Sequence, residues 1–573
     1  MGRERATPPG PRGYLCDPPA SQWARAVADN RARLAGMSFD VAGVPAPELR
    51  QRARQRVLAL AGLGAEPGGG PADLDMERPL LVTGHQPQFY HPGIWVKAFA
   101  VAAEARRQGG WAVNVAVDHD AGELAAEIPW RDGSRPAGSG RDGGGRGRLA
   151  YAKEYLVPPV SGMPLETLPP PGPEQVEAFV RRVEERLATL DWPEGLERFG
   201  VFADGLREAA RRAGSAAETG WRSRRLYERA FGQEPPPDVP VSAVSRTPEF
   251  LRFFVHWALH AADLRDLYNA ALGDYRREHK VRSRANPFPD LLEYPGQGVE
   301  LPFWGLTGRG VRRKLYALPT PDGVVLNHIE GEYARLPRDG DAAVEALLER
   351  GVQVRPRAVP LTVFHRLFVA DLFVHGTGGG RYDAVTDRFI EAAFGVRPPL
   401  YAVVSATLHL PLGPGPVQPG AILEARRRLR DLRFNPQRYA WELDEVSEQL
   451  AALLRRKEEL IDEIQQADAE LKAARAAQAP RAGRGAPSRK RVLTREIEEV
   501  NAALYAALRP VEEAARRRLA ELEARAEAGA AATRRTYPFF LFDPADVWDL
   551  LCVSCDGEDD GGQLTLAFPT GGR

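Results

Sequence analysis

Hydrophobic and polar positions follow their clearest pattern between Pro79 and Glu123. Residues Pro79–Gly84 form an apolar run that predicts a buried strand, and the apolar residues of Gly93–Arg107 recur at helical spacing. Trp111–Val117 alternates and is rich in valine, which predicts a second strand. A strand, a helix and a second strand in this order form a parallel crossover. The pattern therefore predicts an α/β fold built on a parallel sheet.

A second pattern of the same kind lies near the middle of the chain. Asp371–His375 is a short apolar run, and a glycine-rich turn follows it. Arg381–Gly395 then has helical spacing and leads to the strand-like segment Leu400–Leu410. We expect both crossovers to share one sheet, so that the polar residues after their strands meet at its carboxyl edge. In open α/β sheets that edge is where ligands bind.

Outside these crossovers the patterns are simpler. Residues 1–20 are rich in proline and glycine and predict an irregular arm, whereas residues 173–280 are mostly helical. Strand-like patterns return between Glu300 and Gly331. After Gly529, the aromatic cluster in TYPFFLFDPADVWDLL predicts a segment that docks onto the body of the protein.

Two heptad patterns occupy the C-terminal third. Leu443–Leu471 and Leu493–Leu522 carry apolar residues at alternating steps of three and four, with Lys457 as the one polar residue in the first seam. A basic link rich in proline and glycine separates them. They therefore predict an antiparallel coiled-coil hairpin, whose outer faces are also available for dimerisation. Pro510 predicts a kink or a disturbed turn in the second helix.

These patterns divide the chain into seven segments. They are an N-terminal arm with helices (1–78), the first half of the core (79–130), a flexible loop region (131–172), a helical insertion (173–285), the second half of the core with the glycine-rich turn (286–430), the coiled-coil hairpin (431–535), and a C-terminal docking segment with a tail (536–573). Arg131–Arg148 is almost wholly Gly, Arg, Ser and Asp, which favours a solvated linker over a loop ordered by a bound anion.

Composition narrows the class of partner. Lys+Arg and Asp+Glu both number 77, so the formal net charge is zero, which argues against nucleic acid or an anionic membrane as a bulk partner. Three cysteines in 573 residues cannot form a disulfide framework. No secretory segment opens the chain, and no apolar run approaches the roughly 20 residues that a membrane span needs. We expect a cytoplasmic protein.

Polar residues follow the strands of the first crossover. The candidate catalytic residues are His85, Lys97, Asp118, His119 and Asp120. Either histidine could act as acid or base near neutral pH, and Lys97 could reach a phosphate or carboxylate. The two aspartates could orient a histidine, hold sugar hydroxyls or bind Mg²⁺, although we expect no resident metal. The structural alternative is that Asp118 caps a turn and His119 packs.

The second crossover offers an anion site. Together with Gln86, the candidate binding residues are His375, Gly376, Thr377, Gly378, Gly379, Gly380 and Arg381. Glycines at a helix N-terminus let backbone N–H groups approach an anion closely. The run is neither a P-loop nor a dinucleotide fingerprint. Because no Ser or Cys stands in a recognisable nucleophile turn, direct transfer or ligation is favoured over an acyl-enzyme.

Three other groups give weaker signals. His256 and His260 have the spacing of zinc ligands on a helix, but the Glu of H-E-x-x-H is absent, and packed histidines are favoured. Arg309–Lys314 could face an anionic ligand, although a solvated edge is the commoner meaning of such a run. Cys552 and Cys555 form a C-x-x-C without a second pair, which favours incidental cysteines.

Several of these residues resemble a known family. Thr83-Gly84-His85-Gln86, then Gly93 and Lys97, then Asp118-His119-Asp120 resemble the T-G-Q-Q and E-D-H-D segments of the bacillithiol biosynthesis cysteine-adding enzyme (BshC) family. His85 replaces a glutamine of the family pattern. The resemblance implies a Rossmann-like core, a coiled coil used in dimerisation, and a ligase that joins cysteine to glucosaminyl malate.

The loop after the first strand is also similar to a second family. Its HQPQFYHPG sequence resembles a segment of the WbqC-like proteins, which are associated with surface-polysaccharide loci. We therefore expect a divergent, homodimeric BshC-like ligase that forms a C–N bond between an amino acid and an amino-sugar conjugate. The alternatives are a WbqC-like sugar-modifying transferase and a catalytically silent coiled-coil scaffold. The cofactor stays open, with a nucleotide as one candidate.

Overall fold

The computed structural model describes residues 8, 10–63, 75–133, 148–413, 417–443, 445–476 and 489–553. The chain divides into two compact units, of which the first comprises residues 1–130, 151–410 and 534–573, and the second residues 131–150 and 411–533. Most of the predicted linker Arg131–Arg148, the link between the two heptad segments, the Cys552 side chain and all of Cys555 lie outside the described residues.

The described strands are β1 (Arg12–Asp17), β2 (Asp40–Val41), β3 (Val44–Pro45), β4 (Leu80–His85), β5 (Trp111–Ala116), β6 (Leu124–Asp132), β7 (Arg148–Val157), β8 (Asp238–Pro240), β9 (Glu293–Tyr294), β10 (Gly298–Leu306), β11 (Arg312–Thr320), β12 (Gly323–His328), β13 (Gly331–Pro337), β14 (Val354–Pro356), β15 (Leu372–His375) and β16 (Tyr401–Leu408). The described helices are α1 (Trp23–Ala35), α2 (Ala46–Leu60), α3 (Pro92–Arg107), α4 (Pro173–Leu187), α5 (Pro193–Arg212), α6 (Ala216–Ala230), α7 (Val241–Val244), α8 (Pro248–Leu259), α9 (Ala261–Glu278), α10 (Gly340–Glu349), α11 (Ala358–Phe364), α12 (Thr377–Phe394), α13 (Pro419–Phe434), α14 (Glu448–Ala476), α15 (Arg489–Ala507), α16 (Arg509–Ala532) and α17 (Pro544–Val553).

The central sheet of the first unit has the order β1-β16-β15-β4-β5-β8. All of its neighbouring pairs are parallel except β1 with β16. Both predicted crossovers, β4-α3-β5 and β15-α12-β16, therefore belong to one sheet. The prediction of a mixed α/β fold with parallel strands is confirmed, and the boundaries of β4, α3 and β5 agree with the pattern to within one residue.

The first residues of the chain correct one prediction. Residues 1–20 were expected to form an irregular arm, but β1 pairs with β16 along its whole length, from Arg12 opposite Leu408 to Asp17 opposite Val403. The partner strand lies almost 400 residues away in sequence. Because RGYLCD carries neither strong alternation nor a long apolar run, no local signal marks it as a strand.

A second sheet of the first unit is antiparallel. It has the order β13-β12-β11-β10-β14, with β9 paired to β10. The segment 286–430 was expected to be one half of the core, yet its first part forms this separate sheet. The turn before Gly323, which has φ +153°, returns the chain directly and so makes β11 and β12 antiparallel neighbours. The expected helical insertion is present as α4–α9.

The C-terminal aromatic segment packs into the first unit as predicted. Tyr537, Phe539 and Phe540 are fully buried. Phe540 stacks on Phe202 of α5 with ring centroids 4.1 Å apart, and the Phe539 N–H donates to the Tyr90 carbonyl. The segment therefore closes over the loop that leads from β4 into α3.

In the second unit, α14 and α15 pack against each other through apolar residues. Their shared apolar cluster contains Leu450, Leu460, Ala467, Leu493, Val500 and Leu504. Cross-helix ion pairs join Arg456 to Glu496 and Asp468 to Lys490, in opposite order along the two helices. The polar seam residue Lys457 bonds to Asn501. The break between α15 and α16 falls at Leu508, which confirms the disturbance predicted at Pro510.

Among the described residues, no helix combines the length and the apolar character that crossing a membrane requires.

Candidate functional site

The carboxyl edge of the central sheet contains a topological switch point. The neighbouring strands β4 and β15 connect in opposite directions, β4 through α3 to β5 and β15 through α12 to β16. Such a point opens a crevice at the carboxyl ends of the two strands. His85 ends β4 and His375 ends β15. The edge thus brings together two histidines and the N-termini of α3 and α12.

Lys97 of α3 lies between the two strand ends. Its side chain is buried, with 4% of the residue exposed, and Nζ donates to the Gly84 carbonyl at 2.7 Å. A Cβ atom added at Gly376 would lie 3.9 Å from Lys97 Cδ. Burial lowers the pKa of Lys97 to about 7, and no carboxylate within the described part of the chain offsets this effect. Lys97 can therefore hold an anion or exchange a proton near neutral pH.

His85 and His91, which lie beside Lys97, are neutral at pH 7. Burial, and then the Lys97 charge, lowers the pKa of His85 to about 3. Burial, Arg535 and Lys97 together lower the pKa of His91 to about 4. His91 Nδ1 accepts from the Gly93 N–H at 3.0 Å and so caps α3. His85 was expected to act as acid or base near neutral pH, but burial beside a cation leaves it a neutral hydrogen-bonding group.

A further cation stands at the start of α3. Arg535 Nη2 donates to Ser405 Oγ at 3.2 Å and to the Ala406 carbonyl at 3.0 Å. Position 93 must be glycine, because a Cβ atom there would lie 2.5 Å from the Ala406 oxygen. Sequence reasoning missed Arg535, since only tertiary packing carries the C-terminal segment to this edge.

The glycine run forms the first turn of α12 and not a loop before it. The helix begins at Thr377 with Gly376 as its N-cap, and the Gly380 N–H donates to the Gly376 carbonyl at 2.9 Å. Gly378 and Gly379 are exposed, as is Arg381. The first N–H groups of a helix have no partner within it, so the predicted approach of an anion fits this turn.

One nitrogen of the His375 ring, Nε2, contacts a pair of charged residues that the sequence did not reveal. Its Nε2 lies 2.9 Å from Asp383 Oδ2, and Arg366 Nη1 donates to the same oxygen at 2.7 Å. Burial alone would raise the pKa of Asp383, but the charges of Arg366 and His375 lower it to about 2. The eight-residue spacing of His375 and Asp383 across the turn into α12 is the only sequence signal for this contact.

The residues after β5 make more hydrogen bonds than those after β15. Asp118 Oδ1 accepts from the Ser242 N–H at 2.9 Å and Oδ2 accepts from its hydroxyl, so both oxygens bind the start of α7. Burial, and then Glu166, raises the pKa of Asp118 to about 6. Asp118 therefore binds the start of a helix that lies 124 residues away in sequence, whereas the structural alternative has it cap the turn that follows it.

His119 is buried and neutral, because burial lowers its pKa to about 4. Its Nε2 donates to the Pro356 carbonyl at 2.8 Å, since a carbonyl can only accept. The other ring nitrogen, Nδ1, is buried and has no hydrogen-bond partner among the described residues. His119 therefore keeps one free acceptor.

Asp120 completes a charged network at this strand end. Arg312 Nη1 donates to it at 2.7 Å, and Gln86 Nε2 at 3.3 Å. Nearby, Arg355 and Glu166 form a buried two-point ion pair with both distances at 2.7 Å. Within the basic run that was expected to face an anion or solvent, Arg312 thus binds Asp120. Sequence reasoning missed Glu166 and Arg355.

The two histidines at the C-terminal end of α8 lie close together. His256 and His260 have ring centroids 4.6 Å apart, and His260 Nδ1 lies 2.9 Å from the His256 carbonyl. Within the described ranges, no group of three or more His, Cys, Asp or Glu side chains is arranged to hold a metal ion.

Neither a protein-family model nor a curated protein matches the sequence.

Proposed function

We propose that the chain is a BshC-like ligase with a Rossmann-like core. It forms a C–N bond between an amino acid of the cysteine type and an amino-sugar conjugate, in the synthesis of a low-molecular-weight thiol. The observation that carries the proposal is Lys97, which is buried at the switch point and has a single backbone partner among the described residues. A buried ammonium without a carboxylate is unfavourable on its own, and an anionic substrate group would stabilise it.

The surroundings of Lys97 favour an anionic ligand. The N-termini of α3 and α12 point to the same edge, and helix N-termini favour negative charge. Arg535 adds a second positive charge near the start of α3. A carboxylate of a malate-like conjugate, or that of the amino acid, suits this set of donors. An amide bond from a free carboxylate also needs an activating co-substrate, for which a nucleotide is the candidate.

The residues after β5 have supporting roles in this proposal. His119 Nδ1 is free to accept a hydrogen bond from a substrate group, and Asp120 with Gln86 links the ends of β4 and β5. Asp118 holds the start of α7 in place.

We also propose that α14 and α15 form an antiparallel coiled-coil hairpin through which two copies of the chain associate. The heptad seams and the opposite order of the Arg456–Glu496 and Asp468–Lys490 pairs support the hairpin. Light scattering during gel filtration of the full chain tests the dimer, because a monomeric mass at micromolar concentration would contradict it.

Incubation of the full chain with cysteine, glucosaminyl malate and ATP tests the activity, with the condensed thiol measured by mass spectrometry. We expect product with the wild type and a loss of about 100-fold or more with Lys97→Met, as for removal of an oriented charge in a closed site. Lys153→Met is the matched control, because Lys153 is exposed and pairs with Glu123 outside the site. Absence of product with the wild type, or full activity in Lys97→Met, would contradict the proposal.

A further inference from the structure

A histidine, a carboxylate and an arginine form a continuous chain of contacts at the end of β15. His375 Nε2 meets Asp383 Oδ2 at 2.9 Å, and Asp383 accepts from Arg366 at 2.7 Å. Asp383 and Arg366 are almost completely buried, whereas about a tenth of the His375 side chain is exposed. The two buried members are therefore fixed, and only the histidine reaches the surface of the crevice.

The orientation of His375 turns its second nitrogen toward the first turn of α12. Because Nε2 faces a carboxylate, it carries the proton, and Nδ1 of the neutral ring holds a lone pair. A Cβ atom added at Gly379 would lie 2.8 Å from Nδ1. Gly379 is exposed in the first turn of α12. The missing side chain at this position is what keeps Nδ1 uncovered.

Charged and aromatic groups on several elements surround His375. Asp383 and Asp387 lie on α12, Arg366 lies on the π-helical segment His365–Val369, and the Tyr401 ring of β16 meets the imidazole edge-on at 5.2 Å. Lys97 approaches from α3 at Gly376. Arg366 is bound by both aspartates, so the carboxylate that faces His375 is held by a partner of its own. Short π-helical segments of this kind are frequent at functional sites.

We propose that His375 Nδ1 is the proton acceptor of the switch-point site and that Asp383 is its positioning residue. This inference rests on the proposed C–N bond formation, in which the attacking amine must lose a proton. In the step, an N–H bond of the substrate ammonium breaks and an Nδ1–H bond forms. The electron pair stays on the substrate nitrogen, which becomes the nucleophile. Asp383 fixes the tautomer and stabilises the imidazolium that results.

Histidine C2-hydrogen exchange, followed by mass spectrometry of the full chain across pH, tests the pair without a substrate. We expect the exchange midpoint of His375 to fall by about one pH unit in Asp383→Asn, because the facing negative charge is removed. Asp387→Asn is the matched control, since Asp387 also binds Arg366 but does not touch His375. Its shift should be less than half as large. Equal midpoints in wild type and Asp383→Asn would overturn the pairing.

Two alanine substitutions test whether Nδ1 is open to the site. Gly379→Ala places a methyl group against Nδ1, whereas a Cβ atom at Gly378 meets nothing within 4 Å. Both keep every charge, and alanine is favourable in a helix. With diethyl pyrocarbonate as the probe, we expect Gly379→Ala to slow modification of His375 several-fold and Gly378→Ala to leave it unchanged. Equal slowing in both variants would overturn the assignment of Nδ1.

The pH profile of the ligase assay separates the two proposals. If His375 is the acceptor, the acidic limb of kcat follows its exchange midpoint and moves with it in Asp383→Asn. An active wild type whose acidic limb stays fixed while the midpoint moves would reject His375 as the acceptor and leave the ligase function standing. A wild type without activity would reject the ligase function, and His375 would then lack the reaction that its catalytic role requires.

Discussion

Two strand ends at the same edge of the sheet have opposite character. After β5, both carboxylate oxygens of Asp118 accept hydrogen bonds from Ser242, and Asp120 accepts from Arg312 and Gln86. At the end of β15, Nε2 is the only nitrogen of the His375 ring with a hydrogen-bond partner among the described residues, and the exposed glycines of the turn that follows carry no side chains. The first end carries more charge, and the second has more free hydrogen-bonding capacity.

The difference arises from what packs against each strand end. Residues of the antiparallel sheet, such as Arg312 and Pro356, cover the residues after β5 and supply their partners. The end of β15 instead meets the first turn of α12, whose glycines cannot fill the space. The density of charged residues at a strand end is therefore a poor guide to its chemistry, and the number of unoccupied donors and acceptors is a better one.

Asp371, which directly precedes β15, is an example of a carboxylate with a purely structural role. It accepts from Arg31, Arg50, Arg54 and the Leu80 N–H. Replacing Asp371 by Asn leaves the buried Arg54 without its counter-charge. We expect a loss of about 5 kcal/mol in the free energy of unfolding, measured by urea denaturation at pH 7. A loss below about 1 kcal/mol would mean that the arginines find other partners.

Lys97→Met tests the opposite case, a charge at the switch point that has no carboxylate partner among the described residues. The pKa of Lys97 is about 7 in the folded chain, against 10.5 as the ordinary value. The unfolded chain binds the extra proton between these values, so wild-type stability rises with pH across this window. We expect Lys97→Met to be more stable than the wild type by about 4 kcal/mol at pH 6.5, a gain that disappears by about pH 10.5.

The ligase activity of Lys97→Met is measured beside its stability as the control for this prediction. A variant that gains stability and loses ligase activity identifies a charge retained for function. Equal stability of Lys97→Met and the wild type at pH 6.5 would show that a carboxylate or solvent already stabilises the ammonium.

The substitution Asp118→Asn tests whether Asp118, at the end of β5, has a structural role. The folded pKa of Asp118 is raised to about 6 from 3.8, so its contribution is favourable below pH 3.8 and is lost as pH rises through 6. Asn stays neutral and can still accept from Ser242. We expect equal stability at pH 3.5 and a gain of about 3 kcal/mol for Asp118→Asn at pH 7, measured by urea denaturation.

The ligase assay decides how this result bears on the comparison. Retained activity in Asp118→Asn would support the capping role. A loss of activity larger than that of Lys97→Met would instead make the end of β5 the more important of the two.

Local sequence patterns were sufficient for the four central strands of the sheet. The apolar runs that became β4 and β15, the helical spacing of α3, and the polar positions after each strand all follow from periodicity within short windows. The break before Pro510 is likewise a local effect of proline. The edge strand β1 was not predicted, because its partner strand β16 is remote in sequence and its own hydrophobic pattern is weak.

The chemistry of the site was harder to predict, because partners decide it and partners are remote. Ser242 lies 124 residues from Asp118, and Pro356 lies 237 residues from His119. The neutral state of His85 follows from burial beside Lys97, which no spacing reveals. The contact between His375 and Asp383 could have been predicted, because the two residues are only eight positions apart. The prediction would have required knowing that α12 begins at Thr377.

The pair of Arg312 and Asp120 provides the smallest expected effect. The Asp120 side chain is 43% exposed, so the pair is partly screened by solvent and should contribute only about 0.5–1 kcal/mol. Burial would raise the pKa of Asp120, but the hydrogen bond and the charge of Arg312 lower it below its usual value. The stability that this pair supplies is therefore present above about pH 4 and is lost as pH falls. We expect Arg312→Gln to unfold at slightly lower urea than the wild type at pH 7, with a difference that shrinks as the pH falls below about 4. Arg313→Gln, which breaks an exposed pair with Glu330, should differ less from the wild type over the same range. A ligase activity that falls more than tenfold in Arg312→Gln alone would mean that this strand end positions Gln86 for the reaction, and the two strand ends would then act together.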